Sequence, residues 1–146
     1  MNLQIGKSNT KVAVGHWVVC ETEDDPLITQ VERIIKDTIN NKVELWGHWH
    51  SEGSIEGEWG CNHIDKCRLA TAIEIDDEGW RQVFKRKGRK PGQFEPGDFV
   101  SNDVYALTVL YQTGDVVTAG VINSNQTYDI KAEDLQPLFF KEDIAG

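Results

Sequence analysis

The sequence predicts a mainly β protein built as two small β-barrels in tandem, and three observations lead there. A short cassette recurs, with Val14-Gly15-His16-Trp17-Val18 returning as Pro96-Gly97-Asp98-Phe99-Val100. Each copy is followed by β-branched runs and then by a polar turn ending in an apolar stretch, residues 63–70 in one case and 128–138 in the other. The length of 146 residues suits two domains of about 60–75 residues. The expected layout is a first barrel over 1–75, a connecting segment with a basic cluster over 76–95, and a second, smaller barrel over 96–146. Barrels this small enclose little volume in which to desolvate a catalytic group, so they point to binding rather than chemistry.

The elements follow in order. Residues 11–20 are rich in valine and read as a strand with Trp17 as its large packing residue. Glu21-Thr22-Glu23-Asp24-Asp25-Pro26 is an acidic loop closed by proline. Residues 27–35 carry a spacing that also suits a helix, but the β-branched Ile28, Val31, Ile34 and Ile35 favour a bent strand. After a turn at 37–42, residues 43–50 alternate, with Val43, Leu45, Gly47 and Trp49 on one face and Glu44, Trp46, His48 and His50 on the other. A glycine-rich hairpin at 51–57 leads to Trp59, and 63–70 closes the first barrel. Thr71-Ala72-Ile73-Glu74 has the spacing of a capping box and predicts a short helical turn. Residues 79–84 are expected as one more strand, with Trp80 and Phe84 packing between the barrels, before the basic linker. Strands are then expected at 98–101, 106–112, 116–122 and 127–130, with turns at 112–115 and 123–126. The first copy is the longer one, which predicts an additional hairpin in it.

A strand, a long polar loop, three strands, a tight turn and a short closing strand make the order of an SH3-like barrel. The openings Gly15-His16-Trp17-Val18 and Gly97-Asp98-Phe99-Val100 resemble those of SH3-like and KOW-like modules. Cys67-Arg68-Leu69-Ala70-Thr71-Ala72-Ile73-Glu74-Ile75 is similar to a closing phrase of small phage and prophage proteins, where it follows a Gly-Asp-Trp-Val barrel. Here His16 replaces the usual acid and Ala72 a common proline. The resemblance implies a mobile-element origin and no enzymatic residue.

Charge is unevenly spread. The net charge is −9, yet Arg81, Lys85, Arg86, Lys87, Arg89 and Lys90 fall within one decade that contains no acid. The overall field repels a phosphate backbone, so nucleic-acid binding would have to use this cluster, and its glycine and proline punctuation reads more simply as a solvated linker. No apolar run approaches the ~18 residues of a membrane span, and the first residues lack signal-peptide features. The expectation is a cytoplasmic protein of a bacterial host with no membrane partner. Three cysteines without close paired spacing argue for reduced thiols, with Cys20 and Cys67 as small buried hydrophobes.

His48-Trp49-His50 is the sharpest candidate for chemistry, because imidazoles two apart on a strand share a face and both reach one metal ion, with His63 nearby. The pair resembles the cupin pattern but departs from it: Glu56 lies too far on, Lys42 stands where a glycine belongs, and no histidine follows His63. No nucleophile elbow or phosphate loop is present. The simpler reading is a polar-aromatic recognition face. The expected function is therefore a non-enzymatic adaptor or inhibitor without a cofactor. Its acidic loop (Glu21, Glu23, Asp24, Asp25) and aromatic strand (Trp46, His48, Trp49, His50) would meet a basic protein partner, such as a nucleic-acid-handling enzyme. The alternatives are nucleic-acid binding through the 81–90 cluster and a metal-dependent enzyme around His48, His50 and His63.

Overall fold

A computed structural model describes residues 3–4, 11–22, 25–52 and 56–144. A two-stranded pair, β1 (Leu3–Gln4) and β2 (Lys11–Val12), precedes the first cassette. The valine-rich run is then interrupted at Gly15, whose φ of 95° turns the chain into β3 (Trp17–Cys20). The acidic loop leads to β4 (Leu27–Gln30) and β5 (Arg33–Asp37), which together form the expected bent strand. At the bend Val31 is buried and its amide bonds the His16 carbonyl, while the Glu32 amide bonds the Trp46 carbonyl, so the two halves of the strand serve different sheets. Next come β6 (Lys42–Trp49), β7 (Glu58–His63), a 3-10 turn η1 (Ile64–Lys66) and β8 (Cys67–Leu69). The pairings are β4-β3-β8 and β5-β6-β7, all antiparallel, bridged at Ile28 and His50. Gly47 is required where β4 crosses β6, because a Cβ there would lie 2.5 Å from the Thr29 hydroxyl.

The second cassette repeats the order: Gly97 with φ 96°, β9 (Phe99–Ser101), β10 (Ala106–Thr113), β11 (Val116–Val121), β12 (Thr127–Lys131), η2 (Ala132–Asp134) and β13 (Gln136–Phe139). One antiparallel sheet runs β12-β11-β10-β9-β13, leaving β12 and β13 as its edges. The protein is mainly β, in several antiparallel sheets. Among the described residues the first cassette has six strands and the second five; with β4 and β5 counted as one bent strand the successions match, so the greater length of the first cassette lies in that bend and in longer connections rather than in an additional hairpin.

The region between the cassettes departs from expectation. Residues 79–84 are not a strand; they belong to a 14-residue helix, α1 (Ala72–Lys85), which crosses the expected boundary at 75. Its capping box is complete: the Thr71 hydroxyl accepts from the Glu74 amide at 3.2 Å, and the Glu74 carboxylate accepts from the Thr71 amide at 2.9 Å. Trp80, Val83 and Phe84 fit the strand alternation only in part and fit the i, i+3, i+4 helical face fully. That face packs on the second core of Phe94, Val100, Leu107, Val109, Val117, Ala119, Leu135 and Phe140. Trp80 Nε1 also donates to the Leu135 carbonyl at 2.9 Å. The first core, of Val12, Val18, Cys20, Val31, Leu45, Trp49, Ile64 and Cys67, is separate.

The basic cluster is not a solvated linker. Lys85 and Arg89 are buried. Lys85 donates to the Ser51 carbonyl at 2.9 Å and lies 3.8 Å from the buried Glu78 carboxylate, which also pairs with Arg81 at 3.0 Å. Burial pulls the Lys85 ammonium below its ordinary range, and Glu78 opposes that effect. Arg89 stacks over Phe140 at 4.3 Å and pairs with Asp98, Glu95 and Glu142, while Lys87 pairs with Asp143. These bonds fasten a C-terminal turn, α2 (Lys141–Ile144), to the second cassette.

Candidate functional site

The alternation of β6 decides what reaches the surface. Leu45, Gly47 and Trp49 turn inward and are buried; Trp46 is half-buried and His48 exposed on the outer face. Pairing with β7 sets His48 opposite Trp59 and Trp46 opposite Cys61, and pairing with β5 sets Trp46 opposite Arg33. The outer face thus gathers Trp46, His48 and Trp59 from residues that are not adjacent in sequence. The Trp46 and Trp59 ring centroids are 5.8 Å apart with planes tilted by 38°, and His48 lies 5.1 Å from Trp59. Trp59 is 49% exposed, a large apolar area to leave in water.

Carboxylates frame this aromatic group. Glu32, on the bend between β4 and β5, pairs with His48 Nδ1 at 2.7 Å. Glu44 accepts from Trp46 Nε1 at 3.4 Å and from Cys61 Sγ at 3.8 Å. Partial burial, followed by the Glu44 charge, raises the Cys61 thiol above its ordinary value. The arrangement offers open π-faces beside two carboxylates, which attract a cation.

The sequence-predicted residues divide sharply. Trp46 and His48 join this face. Trp49 does not: it is core, with Nε1 donating to the Gly60 carbonyl at 3.0 Å. His50 does not either, because β6 ends at Trp49 and the His50 backbone exchanges hydrogen bonds with Ile28 in the other sheet. Its Nδ1 is buried without a partner, and burial holds its pKa below the ordinary imidazole value. Its ring occupies the space a Cβ on Gly57 would need, 2.5 Å away, which explains that glycine. Of the acidic loop, Glu23 and Asp24 lie outside the described residues. Glu21 is paired with Arg68 at 2.8 Å, and Asp25 is exposed.

The alternative metal set of His48, His50 and His63 is not assembled. Among the described residues, no group of three or more His, Cys, Asp or Glu side chains is placed to hold a metal ion. In the basic cluster, Arg81, Lys85, Lys87 and Arg89 are engaged with carboxylates, leaving Arg86 and Lys90 exposed. An open groove of about 1350 Å³ runs beside α1 past Trp80, Phe94 and Pro137, but it is lined by charges of both signs, acids such as Asp76, Asp77 and Glu133 and the bases Arg81, Lys90 and Lys131. That lining presents no single sign of charge to a ligand.

Sequence reasoning missed Trp59, Glu32 and Glu44. The period-2 alternation already put Glu44 beside Trp46. The register across the long 50–57 loop, which brings Trp59 to His48, has no signal in the sequence alone. No protein family, curated protein or solved structure matches the chain.

Proposed function

We propose that this chain is a non-enzymatic interaction protein that docks basic side chains of a protein partner on the outer face of β5-β6-β7. The observation that carries the reading is the pair of half-buried Trp46 and exposed Trp59 flanked by the Glu32 and Glu44 carboxylates. A guanidinium or ammonium laid over an indole gains roughly 0.5–2 kcal/mol, more as water is excluded, and tryptophans are frequent anchors of binding energy. The net charge of −9 steers a basic surface toward the chain. A nucleic-acid-handling enzyme is the partner class we favour, because its phosphate-binding surface is basic.

Each cassette is, in this reading, an SH3-like barrel. Support comes from the repeated succession of turn glycine, first strand, three further strands (β4 and β5 counted as one bent strand), 3-10 turn and a last strand that returns antiparallel to the first. The second barrel and α1 act as the scaffold, and the first carries the face.

The test is tryptophan fluorescence titrated with a nonapeptide of alternating arginine and glycine, with a glutamate-glycine peptide as control. The expected result is saturable binding of the arginine peptide only, weakening several-fold as screening rises with added salt. Trp59→Ala, at an exposed site, should weaken it about 5- to 30-fold while leaving the melting temperature within a degree or two. Equal binding by the Trp59→Ala chain, or equal binding of the glutamate peptide, would overturn the reading.

A further inference from the structure

The β3–β8 seam, where the last strand of the first cassette returns to the first, sets Cys20 opposite Cys67. Both thiols are buried and free. The hydrogen-bond pattern fixes which kind of pair this is. The Glu21 amide donates to the Lys66 carbonyl at 3.1 Å, and the Ala70 amide to the Trp17 carbonyl at 2.9 Å. Antiparallel pairs alternate between bonded and non-bonded, so between those two ends Val19–Arg68 is a bonded pair, whereas Val18–Leu69 and Cys20–Cys67 are non-bonded ones. Non-bonded positions bring Cα atoms to about 4.5 Å, inside the roughly 4.4–6.8 Å range that a disulfide spans. Cys67 Sγ donates to the His63 carbonyl at 3.4 Å.

We propose that Cys20 and Cys67 are a disulfide-forming pair that covalently locks the first cassette when a low-molecular-weight disulfide is available. One thiolate attacks a sulfur of the oxidant and releases one small thiol; the second attacks the mixed disulfide and releases the other. Two protein thiols become one S–S bond, one small-molecule disulfide becomes two thiols, and two thiol protons go to solvent and are taken up by the released thiolates. Burial sets the kinetics. It pushes the Cys67 thiol up to about 12 and raises Cys20 as well, so exchange proceeds through opening or during folding rather than on the closed protein. Cys61, opposite Trp46 on the outer face of the other sheet, faces no second cysteine in the strand register.

The experiment uses the full chain carrying Cys61→Ser, refolded in a buffer of reduced and oxidised glutathione at alkaline pH. The expected product has lost two hydrogens. Trypsin should release Val12–Arg33 joined to the dipeptide Cys67-Arg68, and the melting temperature should rise by on the order of 5–10 °C over the reduced form. In a parallel digest of the unaltered chain, Cys61 should stay alkylatable in the 43–66 peptide. A chain that stays reduced, carries glutathione, links to a second chain or melts lower when oxidised would overturn the proposal.

Discussion

The two cassettes open on the same turn but use it differently. Gly15 and Gly97 have φ of 95° and 96°; their amides donate to Val31 and Val109 at 2.8 and 2.9 Å; the next amide donates to the carbonyl three residues back at 3.1 Å in both. The side chain after each glycine then accepts from an amide three residues earlier, His16 Nδ1 from Ala13 at 3.1 Å and Asp98 Oδ2 from Glu95 at 2.7 Å. There the likeness ends. Asp98 is fully buried and also receives Arg89 and the Lys141 amide, whereas His16 is exposed with no such network. One backbone device thus serves as a charged hub in the second cassette and as a plain turn in the first. The second cassette is tied to α1 and α2, and the first keeps an outer face open.

The largest expected effect separates hub from turn. Asp98→Ala leaves Arg89, 4% exposed, facing only the partly solvated Glu95 and Glu142, and should cost about 3–5 kcal/mol in urea unfolding. A loss below about 1 kcal/mol would show that the buried pair is replaceable and remove the distinction. Phe84→Ala asks whether α1 belongs to the second core. Its ring meets Phe94 at 5.0 Å and Phe140 at 5.4 Å, and its loss should again cost about 3–5 kcal/mol. If the helix were a mere connector, the truncation would be nearly neutral.

These contrasts also show what could be read from the residues. The cassette Gly-His-Trp-Val and Gly-Asp-Phe-Val was legible because a left-handed turn before a strand demands glycine and an acceptor side chain. The strands of both cassettes and the capping box were legible for similarly local reasons. The length of α1 was not, because Trp80, Gln82 and Phe84 also alternate and Gly79 weakens the helical pattern; the choice is made by the second core. Nor was the fate of the basic decade, since the acids that neutralise it lie outside it: Glu78, Glu95 and Asp98 just beyond its two ends, and Glu142 and Asp143 far along the chain. Within the site, alternation placed Trp46 and His48 but carried His50 one residue past the end of the strand.

A smaller effect concerns the joint between the first cassette and α1. Arg68 on β8 makes two bonds of 2.7 Å to Glu74, besides its contact with Glu21. These bonds, Arg68 first, hold the Glu74 carboxyl down to about 2 from its ordinary 4.5. A depressed acid contributes stability that is present above its unfolded pKa and lost as pH falls through the folded one, here between about 4.5 and 2. Solvent reaches both partners, so the contribution is discounted to about 1 kcal/mol. Glu74→Gln should flatten the acid limb of the stability curve in that window. An unchanged limb would mean the joint is not stabilising.

The smallest effect sharpens the comparison most. His16→Ala removes one exposed acceptor and should cost about 0.5–1 kcal/mol, far less than Asp98→Ala. The exchange of side chains between the two turns is more telling. His16→Asp should be nearly neutral, because a carboxylate accepts the same amide and meets no buried cation at that surface. Asp98→His preserves an acceptor for the Glu95 amide but brings no negative charge to Arg89, so it should be as damaging as Asp98→Ala. If both exchanges were equally tolerated, the turn alone would account for the residue at each position and the ion network around Arg89 would be dispensable. If both were equally harmful, His16 would have a role that its exposed hydrogen bond to Ala13 does not explain.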